Sequence, residues 1–138
     1  MRPVLIDTGV LVALLDRGDD QHERCVTALK DLPASLLTSW PVVTEAMYLL
    51  GDVAAGQDAL LTWIEASTPS VAELNLGDIP SIRAMMAKYR DVPMDFADAS
   101  LVCLAQRLAL EVVFTLDRDF HTYRLAGRSR FKVIPAGF

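Results

Sequence analysis

The sequence is poor in the residues that build disulfide frameworks and zinc sites, since its 138 residues include two cysteines and two histidines. Two thiols, Cys25 and Cys103, without a set of partner histidines do not supply the four ligands of a structural zinc site. Small secreted domains that depend on disulfides use more cysteines than this. We therefore expect a reduced, cytoplasmic protein.

Positive charge is also scarce, because 13 lysines and arginines face 18 acidic residues and give a net charge of −5. This balance excludes a protein that holds nucleic acid by bulk charge alone. The signs are distributed unevenly: residues 1–100 carry 7 basic and 15 acidic groups, and residues 101–138 carry 6 and 3. Such a chain can place a basic C-terminal part beside an acidic site.

The chain lacks long apolar runs, internal repeats and low-complexity segments. Arg2 and the apolar stretch 4–15 faintly resemble a signal peptide, but Asp7 interrupts the run and no small-residue cleavage site follows. No segment is long enough to span a bilayer. Because 52% of the residues are apolar, we expect one domain, residues 1–138, with a single core.

Short β-like runs alternate with helical patterns along the chain. The strands are predicted at residues 4–6, 35–39, 71–74, 112–116 and 131–134. The helices are predicted at residues 10–15, 19–30, 42–50, 57–66, 79–89 and 95–110. This alternation predicts an α/β fold, a three-layer α/β/α sandwich with a central, mainly parallel five-stranded sheet.

Several carboxylates stand where a ligand site is expected in such a fold. Asp7 directly follows the first strand and Asp117 the fourth, and ligands bind at the carboxyl ends of parallel strands. Asp98 lies in the first turn of helix 95–110, three residues after Asp95 and on the same face. Glu45 is a lone carboxylate on an apolar helix. Because burying an unpaired carboxylate is unfavourable, its position there suggests a function.

If these groups converge, their mutual repulsion must be relieved. Two like charges about 4 Å apart repel by roughly 4 kcal/mol at an effective dielectric constant near 20. Protonation or a bound cation provides the relief, and Mg²⁺ or Mn²⁺ prefers carboxylate oxygens. Such an ion can activate water and bind phosphate, as in metal-dependent phosphodiester cleavage.

Four segments carry a resemblance to a known family: DTGVLVALLD (7–16), TEAMYLL (44–50), DFADASLVCLAQR (95–107) and FTLDRDF (114–120). In their order and spacing they resemble the PIN-domain family, and the resemblance extends from Val4 to the last strand. PIN domains are metal-dependent ribonucleases, and many are toxins of bacterial toxin–antitoxin pairs of the virulence-associated protein C type. The stretch 121–135 resembles only a subset of the family.

The resemblance implies an acidic site for Mg²⁺ or Mn²⁺, formed by Asp7, Glu45, Asp98 and Asp117, with Asp95 and Asp119 as second-rank candidates. It implies a hydroxyl group near the site, from Thr8 or Thr115. The implied activity is hydrolysis of RNA, possible substrates being tRNA or another structured RNA, to products with 3′-hydroxyl and 5′-phosphate ends. The implied partners are an antitoxin protein and a second copy of the chain. Four arginines are expected to steer the RNA backbone: Arg118, Arg124, Arg128 and Arg130.

Other interpretations of the same residues remain open. Asp95 and Asp98 also fit the pattern of a helix cap, which we favour for Asp95. Asp7 and the segment 117–119 also fit ordinary turns. For both histidines, His22 and His121, we expect surface or hydrogen-bonding roles. Both tryptophans, Trp40 and Trp63, are expected in the core or an interface.

Two other functions compete with that of a toxin ribonuclease. One is a PIN nuclease of RNA processing that has no antitoxin, and a small antitoxin gene directly upstream would separate the two. The other is a catalytically silent acidic-pocket module, such as a phosphate-receiver-like domain. A receiver requires a lysine after a late strand, whereas strand 112–116 is followed by Asp-Arg-Asp.

Overall fold

A five-stranded sheet forms the centre of the molecule in a computed structural model, which describes residues 2–137. The strands are β1 (Val4–Ile6), β2 (Leu36–Ser39), β3 (Ser70–Ala72), β4 (Val112–Phe114) and β5 (Lys132–Ile134). Their order is β3-β2-β1-β4-β5, and all four neighbouring pairs are parallel. The predicted α/β fold is confirmed, with a sheet that is parallel throughout.

Helices connect and flank the strands, as parallel pairing requires. They are α1 (Thr8–Leu15), α2 (His22–Lys30), α3 (Trp40–Leu49), α4 (Gly56–Glu65), α5 (Ile79–Lys88) and α6 (Phe96–Leu108). For α3, local capping explains why the observed start differs from the prediction. The Ser39 hydroxyl accepts a hydrogen bond from the backbone N–H of Val42, so α3 begins two residues earlier than expected.

The most buried helix is α6, in which every residue from Ala97 to Ala105 is buried. It packs against α3, α5 and β2. A helix that is apolar all round belongs in the interior, and this one carries Asp98 into the interior with it. The Ser39 and Ser100 hydroxyls lie 2.6 Å apart and join the end of β2 to α6.

The strand order reverses direction between β1 and β4. After β1 the chain adds β2 and β3 on one side, and afterwards β4 and β5 on the other. Helices that leave two such strands in opposite directions open a crevice at the carboxyl ends, where α/β proteins bind ligands. The backbone N–H of Asp7 donates to the Phe114 carbonyl at 3.0 Å, which joins the two chain segments there.

The structure also describes the cysteines and the lengths of the apolar helices. Both cysteines, Cys25 and Cys103, are free and buried. Among the described residues, no helix has the length and apolar character needed to cross a membrane.

Candidate metal centre

Three aspartates from distant parts of the chain meet at the crevice between β1 and β4. Asp7 follows β1, Asp98 lies in the first turn of α6, and Asp117 follows β4. One carboxylate oxygen from each lies within 4.8 Å of the other two. Asp7 and Asp98 are buried and Asp117 is half-buried. The structure therefore brings together three of the four residues on which the expected acidic site depended.

Asp7 is held in place at both of its carboxylate oxygens. Its Oδ1 accepts the backbone N–H of Thr8 at 2.8 Å, and its Oδ2 accepts the hydroxyl of Thr115 at 2.8 Å. The same hydroxyl oxygen accepts the backbone N–H of Asp117 at 3.0 Å. Thr115, fully buried, therefore aligns two acids of the cluster rather than facing a ligand.

Asp98 is part of a capping box at the start of α6. Its backbone N–H donates to Asp95 Oδ1 at 2.8 Å, and the Asp95 N–H donates to Asp98 Oδ2 at 3.4 Å. The expected cap by Asp95 is confirmed. The Tyr123 hydroxyl also donates to Asp98 Oδ2, at 3.1 Å. Because both of these bonds end on Oδ2, Oδ1 is left for the cluster in the described part of the chain.

Tyr123 is a residue of the site that the sequence analysis missed. Its side chain is fully buried, and its ring packs edge-to-face against Tyr89 and Phe120 with centroid separations of 5.1 Å. Burial, reinforced by the charge of Asp98, raises the pKa of its hydroxyl, so the group stays protonated and donates. In the sequence, Tyr123 stands out only as an aromatic residue inside a basic stretch. That pattern does not predict a contact with Asp98.

The electrostatics of the cluster are those of crowded, desolvated carboxylates. Burial, together with the charges of Asp117 and Glu45, raises the pKa of Asp7 to about 6, although hydrogen bonds from Thr115 and Thr8 oppose the shift. Burial and the charges of Asp7, Asp95 and Asp117 raise the pKa of Asp98 to about 8. No lysine or arginine is among the main causes of either pKa shift.

The chemistry of this donor set fits a divalent cation that prefers oxygen. Three carboxylates supply hard oxygen ligands, and no cysteine or histidine belongs to the group. Beside them the buried Thr8 hydroxyl has no hydrogen-bond partner among the described residues. A buried polar atom of this kind indicates a missing partner, such as water or a ligand oxygen at the cluster.

The remaining acidic candidates surround the three aspartates. Glu45, half-buried on α3, lies outside the close group but near enough for its charge to raise the pKa of Asp7. The backbone N–H of Asp119 donates to Asp117 Oδ1 at 2.9 Å. Slight burial and the charge of Asp117 raise the pKa of Asp119. These residues form a second layer of negative charge around the cluster.

The structure separates the four arginines that were expected to steer RNA. Arg118 is exposed and directly follows Asp117. Arg124 donates from Nη1 to the carbonyls of His121, Thr122 and Tyr123, which ties its guanidinium to its own loop. Of the four, Arg118 is therefore the one placed beside the acids with its side chain exposed.

The other two, Arg128 and Arg130, lie away from the acidic cluster. Leu125, Ala126 and Ser129, which flank Arg128, line a pocket together with residues at and just after the C-terminal end of α6. Since a helix rises about 1.5 Å per residue, that end is roughly 12 Å along the axis from Asp98. Arg130 precedes β5 and so lies at the amino edge of the parallel sheet. Both arginines are therefore distant from the three clustered aspartates.

The histidines differ in their surroundings. The Nδ1 atom of His22 lies 2.7 Å from the Ala13 carbonyl and ties α2 to α1, which is the expected hydrogen-bonding role. His121 is exposed, on a short helical turn after Asp117.

A family model described as the PIN domain matches residues 4–125 of this chain, which is most of its length. The chain belongs to the PIN-domain family. Over 136 residues this PIN domain is 33% identical to Ribonuclease VapC26 from Mycobacterium tuberculosis, and the alignment covers 96% of the chain and 100% of that protein.

Solved structures resemble the fold of this PIN domain closely. The Mycobacterium tuberculosis toxin VapC20, described as cleaving the sarcin–ricin loop, matches with a TM-score of 0.80 and 18% identity, over 86% of this chain and 93% of that one. A toxin–antitoxin complex from Klebsiella pneumoniae matches with a TM-score of 0.65 and 22% identity, over 85% and 89%. At these identities the likeness establishes the fold alone.

Proposed function

We propose that this PIN domain is an endoribonuclease dependent on Mg²⁺ or Mn²⁺ and the toxin of a toxin–antitoxin pair. The observation that carries the proposal is the convergence of Asp7, Asp98 and Asp117, with no lysine or arginine among the main causes of the raised pKa values, at the ligand-binding edge of the sheet. The similarity to a ribonuclease over the whole chain supports RNA as the substrate.

In this proposal the three aspartates hold the ion. When bound, the ion supplies activation of the attacking water and stabilisation of the departing oxygen. Glu45 accepts a hydrogen bond from that water and holds its oxygen in line with the phosphorus. The Thr8 hydroxyl, which has a free donor beside the cluster, binds a non-bridging oxygen of the phosphate. Water adds to phosphorus and loses one proton to solvent, and the bond from phosphorus to the 3′-oxygen breaks. The departing oxygen takes up a proton from solvent and leaves as a 3′-hydroxyl, and the phosphate stays on the 5′-oxygen.

Two supporting residues keep the cluster rigid. Thr115 fixes Asp7 and the backbone of Asp117, and Tyr123 fixes Asp98. Hydrogen bonds of this type orient metal ligands and are important for metal affinity. Arg118, exposed next to Asp117, is positioned to meet the RNA backbone near the cut.

The proposed protein partners are an antitoxin and a second copy of the chain. The likeness to a Klebsiella toxin–antitoxin complex supports the antitoxin. Exposed apolar side chains outside the groove described below support a homodimer: Leu49 on α3 and Leu61 on α4, the next α-helix along the chain. The free thiols support a reducing compartment, the cytoplasm.

The test is cleavage of end-labelled tRNA, sarcin–ricin loop RNA and an unstructured RNA by purified protein with Mg²⁺, Mn²⁺ or EDTA. We expect cleavage with either ion and none in EDTA. Asp7→Asn should abolish cleavage, while Asp58→Asn, which removes an exposed acid on α4, should not. Cleavage that persists in EDTA, or in the Asp7→Asn protein, would contradict the proposal.

A further inference from the structure

A groove opens beside the metal centre between α3 and the start of α6. Its volume is about 730 Å³. From α3 it is lined by Trp40, Thr44, Glu45 and Tyr48, and from the start of α6 by Asp95 and Phe96. Trp40, Thr44 and Tyr48 follow one another at intervals of four residues and so lie on one face of α3. The proposed mechanism uses Glu45 in this groove and leaves its aromatic side chains without a function.

The exposed aromatic side chains among residues 2–137 all line this groove. Trp40 is 46% exposed, Phe96 45% and Tyr48 83%. Within residues 2–137, these are all of the phenylalanine, tyrosine and tryptophan side chains that are exposed. Of the two places expected for Trp40, the core or an interface, its exposure excludes the core. Flat aromatic rings that remain in solvent are stacking surfaces for nucleobases.

The groove shares a wall with the acidic cluster. The Asp95 carboxylate in the groove accepts the backbone N–H of Asp98 at 2.8 Å. Glu45 lies near enough to Asp7 to act on it electrostatically. A phosphate bound through the proposed ion at the three aspartates would therefore lie next to the aromatic groove.

The polar groups of the groove select the part of RNA that enters it. They are two carboxylates, Glu45 and Asp95, and the Thr44 hydroxyl, with no lysine or arginine in the lining. Carboxylates repel a phosphodiester backbone, but they accept hydrogen bonds from the N–H groups of a base edge. Guanine presents two adjacent donors, N1–H and the 2-amino group, that one carboxylate binds together.

We propose that this groove is a nucleobase subsite, in which an unpaired guanine stacks on Trp40 and Phe96 and donates to a groove carboxylate. The proposal rests on the proposed function, because it places the base next to the phosphate that is cut. A protein segment is disfavoured as occupant, since an apolar one would bury both carboxylates without partners. A second copy or an antitoxin in the groove is an alternative that the test separates.

The test uses guanosine 5′-monophosphate, which has no internucleotide bond and so reports binding whether or not the protein cleaves RNA. Its affinity in Mg²⁺ is measured by calorimetry on the wild-type protein. Fluorescence of Trp40 in a Trp63→Phe background reports the site of binding, provided that the melting curve of that variant shows a folded protein. Ribose 5-phosphate is the control without a base, and inosine 5′-monophosphate is the control without the 2-amino group.

We expect guanosine monophosphate to quench Trp40 and to bind at least tenfold more tightly than ribose 5-phosphate, with the inosine nucleotide between them. Trp40→Ala and Phe96→Ala should each weaken binding by about tenfold, as is typical of one lost stacking contact. Trp40→Phe should keep most of the affinity because a ring remains. Leu76→Ala, at an exposed apolar residue outside the groove, should change nothing.

Equal affinities for guanosine monophosphate and ribose 5-phosphate would overturn the proposal. So would Trp40→Ala and Phe96→Ala variants that bind nucleotide normally but lose a homodimer in sedimentation or an antitoxin in pull-down. The RNA cleavage assay separates the two proposals. Cleavage without nucleotide binding in the groove would refute the subsite alone, and nucleotide binding there without any cleavage would refute the nuclease alone.

Discussion

Replacing Asp98 by asparagine should stabilise the metal-free protein while removing its ability to bind a divalent cation. Both hydrogen bonds that the Asp98 carboxylate accepts within residues 2–137 end on Oδ2, one from the Tyr123 hydroxyl and one from the Asp95 N–H. An asparagine can place its carbonyl oxygen there and keep both bonds. Its amide then points into the cluster, where it donates to Asp7 or Asp117 instead of repelling them.

The magnitude follows from the pKa of Asp98, which is raised from 3.8 to about 8, mainly by burial and then by neighbouring acids. Because the pKa of Asp98 is raised in the folded protein, the wild type has its full stability below about pH 4. Part of this stability is lost as the pH rises through about 8 and the buried Asp98 ionises. At about 1.4 kcal/mol per pKa unit, the raised pKa of Asp98 destabilises the wild type at pH 8 by at most roughly 5 kcal/mol. Since the buried asparagine amide has a desolvation cost of its own, we expect a gain of about 2 kcal/mol in the variant, or about 7 °C in Tm.

The assay is thermal unfolding in EDTA at pH 5 and pH 8, repeated with Mn²⁺. The variant should exceed the wild type at pH 8 by several times the difference at pH 5, because much of the wild-type cost is not yet present at pH 5. Mn²⁺ should raise the Tm of the wild type and leave that of the variant unchanged. Asp58→Asn serves as the control for a lost surface charge. A variant that is less stable than the wild type at pH 8, or a difference that does not change with pH, would refute the reasoning.

Three further predictions concern the residues around the cluster. Tyr123→Phe removes the hydrogen bond to Asp98 and should weaken Mn²⁺ binding about tenfold by calorimetry, whereas Tyr89→Phe, in the same aromatic cluster, should not. Thr115→Val leaves Asp7 Oδ2 and one backbone N–H without their partner and should cost about 1–3 kcal/mol in urea unfolding; an unchanged midpoint would count against this role. Mn²⁺ affinity should fall steadily from pH 8 to pH 6, because the raised pKa values make protons compete with the ion, and a flat calorimetric profile would contradict this.

Much of the site was predictable because it depends on strand ends. A buried run followed at once by an aspartate occurs at β1 and again just after β4, and parallel pairing brings the two ends together at one edge. The apolar pattern of α6 indicated a buried helix, and its first turn carried Asp98. Periodicity and topology therefore marked the three acids as candidates, and the resemblance to the PIN-domain family favoured the site over the cap and turn interpretations.

The residues that support the acids were harder to predict because tertiary packing determines them. Tyr123 reaches Asp98 from a different element, 25 positions along the chain, and its place depends on how Tyr89 and Phe120 pack. Trp40 was expected in the core or an interface, and its side chain lies half exposed at the first position of α3. Hydrophobicity alone does not distinguish an apolar side chain of the core from one that lines a groove.

Strand direction predicts which edge of the sheet the basic residues occupy. A count of charges grouped Arg128 and Arg130 with Arg118 as one basic region. In a parallel sheet, however, a residue that precedes a strand lies at the opposite edge from one that follows a strand. Arg130 precedes β5 and Arg118 follows β4, so strand direction alone would have separated them.

The central claim is that Asp7, Asp98 and Asp117 bind one divalent-metal centre. The most direct test is a crystal structure of the wild-type protein soaked in Mn²⁺, with anomalous scattering recorded above the manganese edge. The predicted result is an anomalous peak bonded to oxygens of all three carboxylates, absent from the Asp98→Asn protein. A saturating soak that leaves the space between the three aspartates without a peak would contradict the claim.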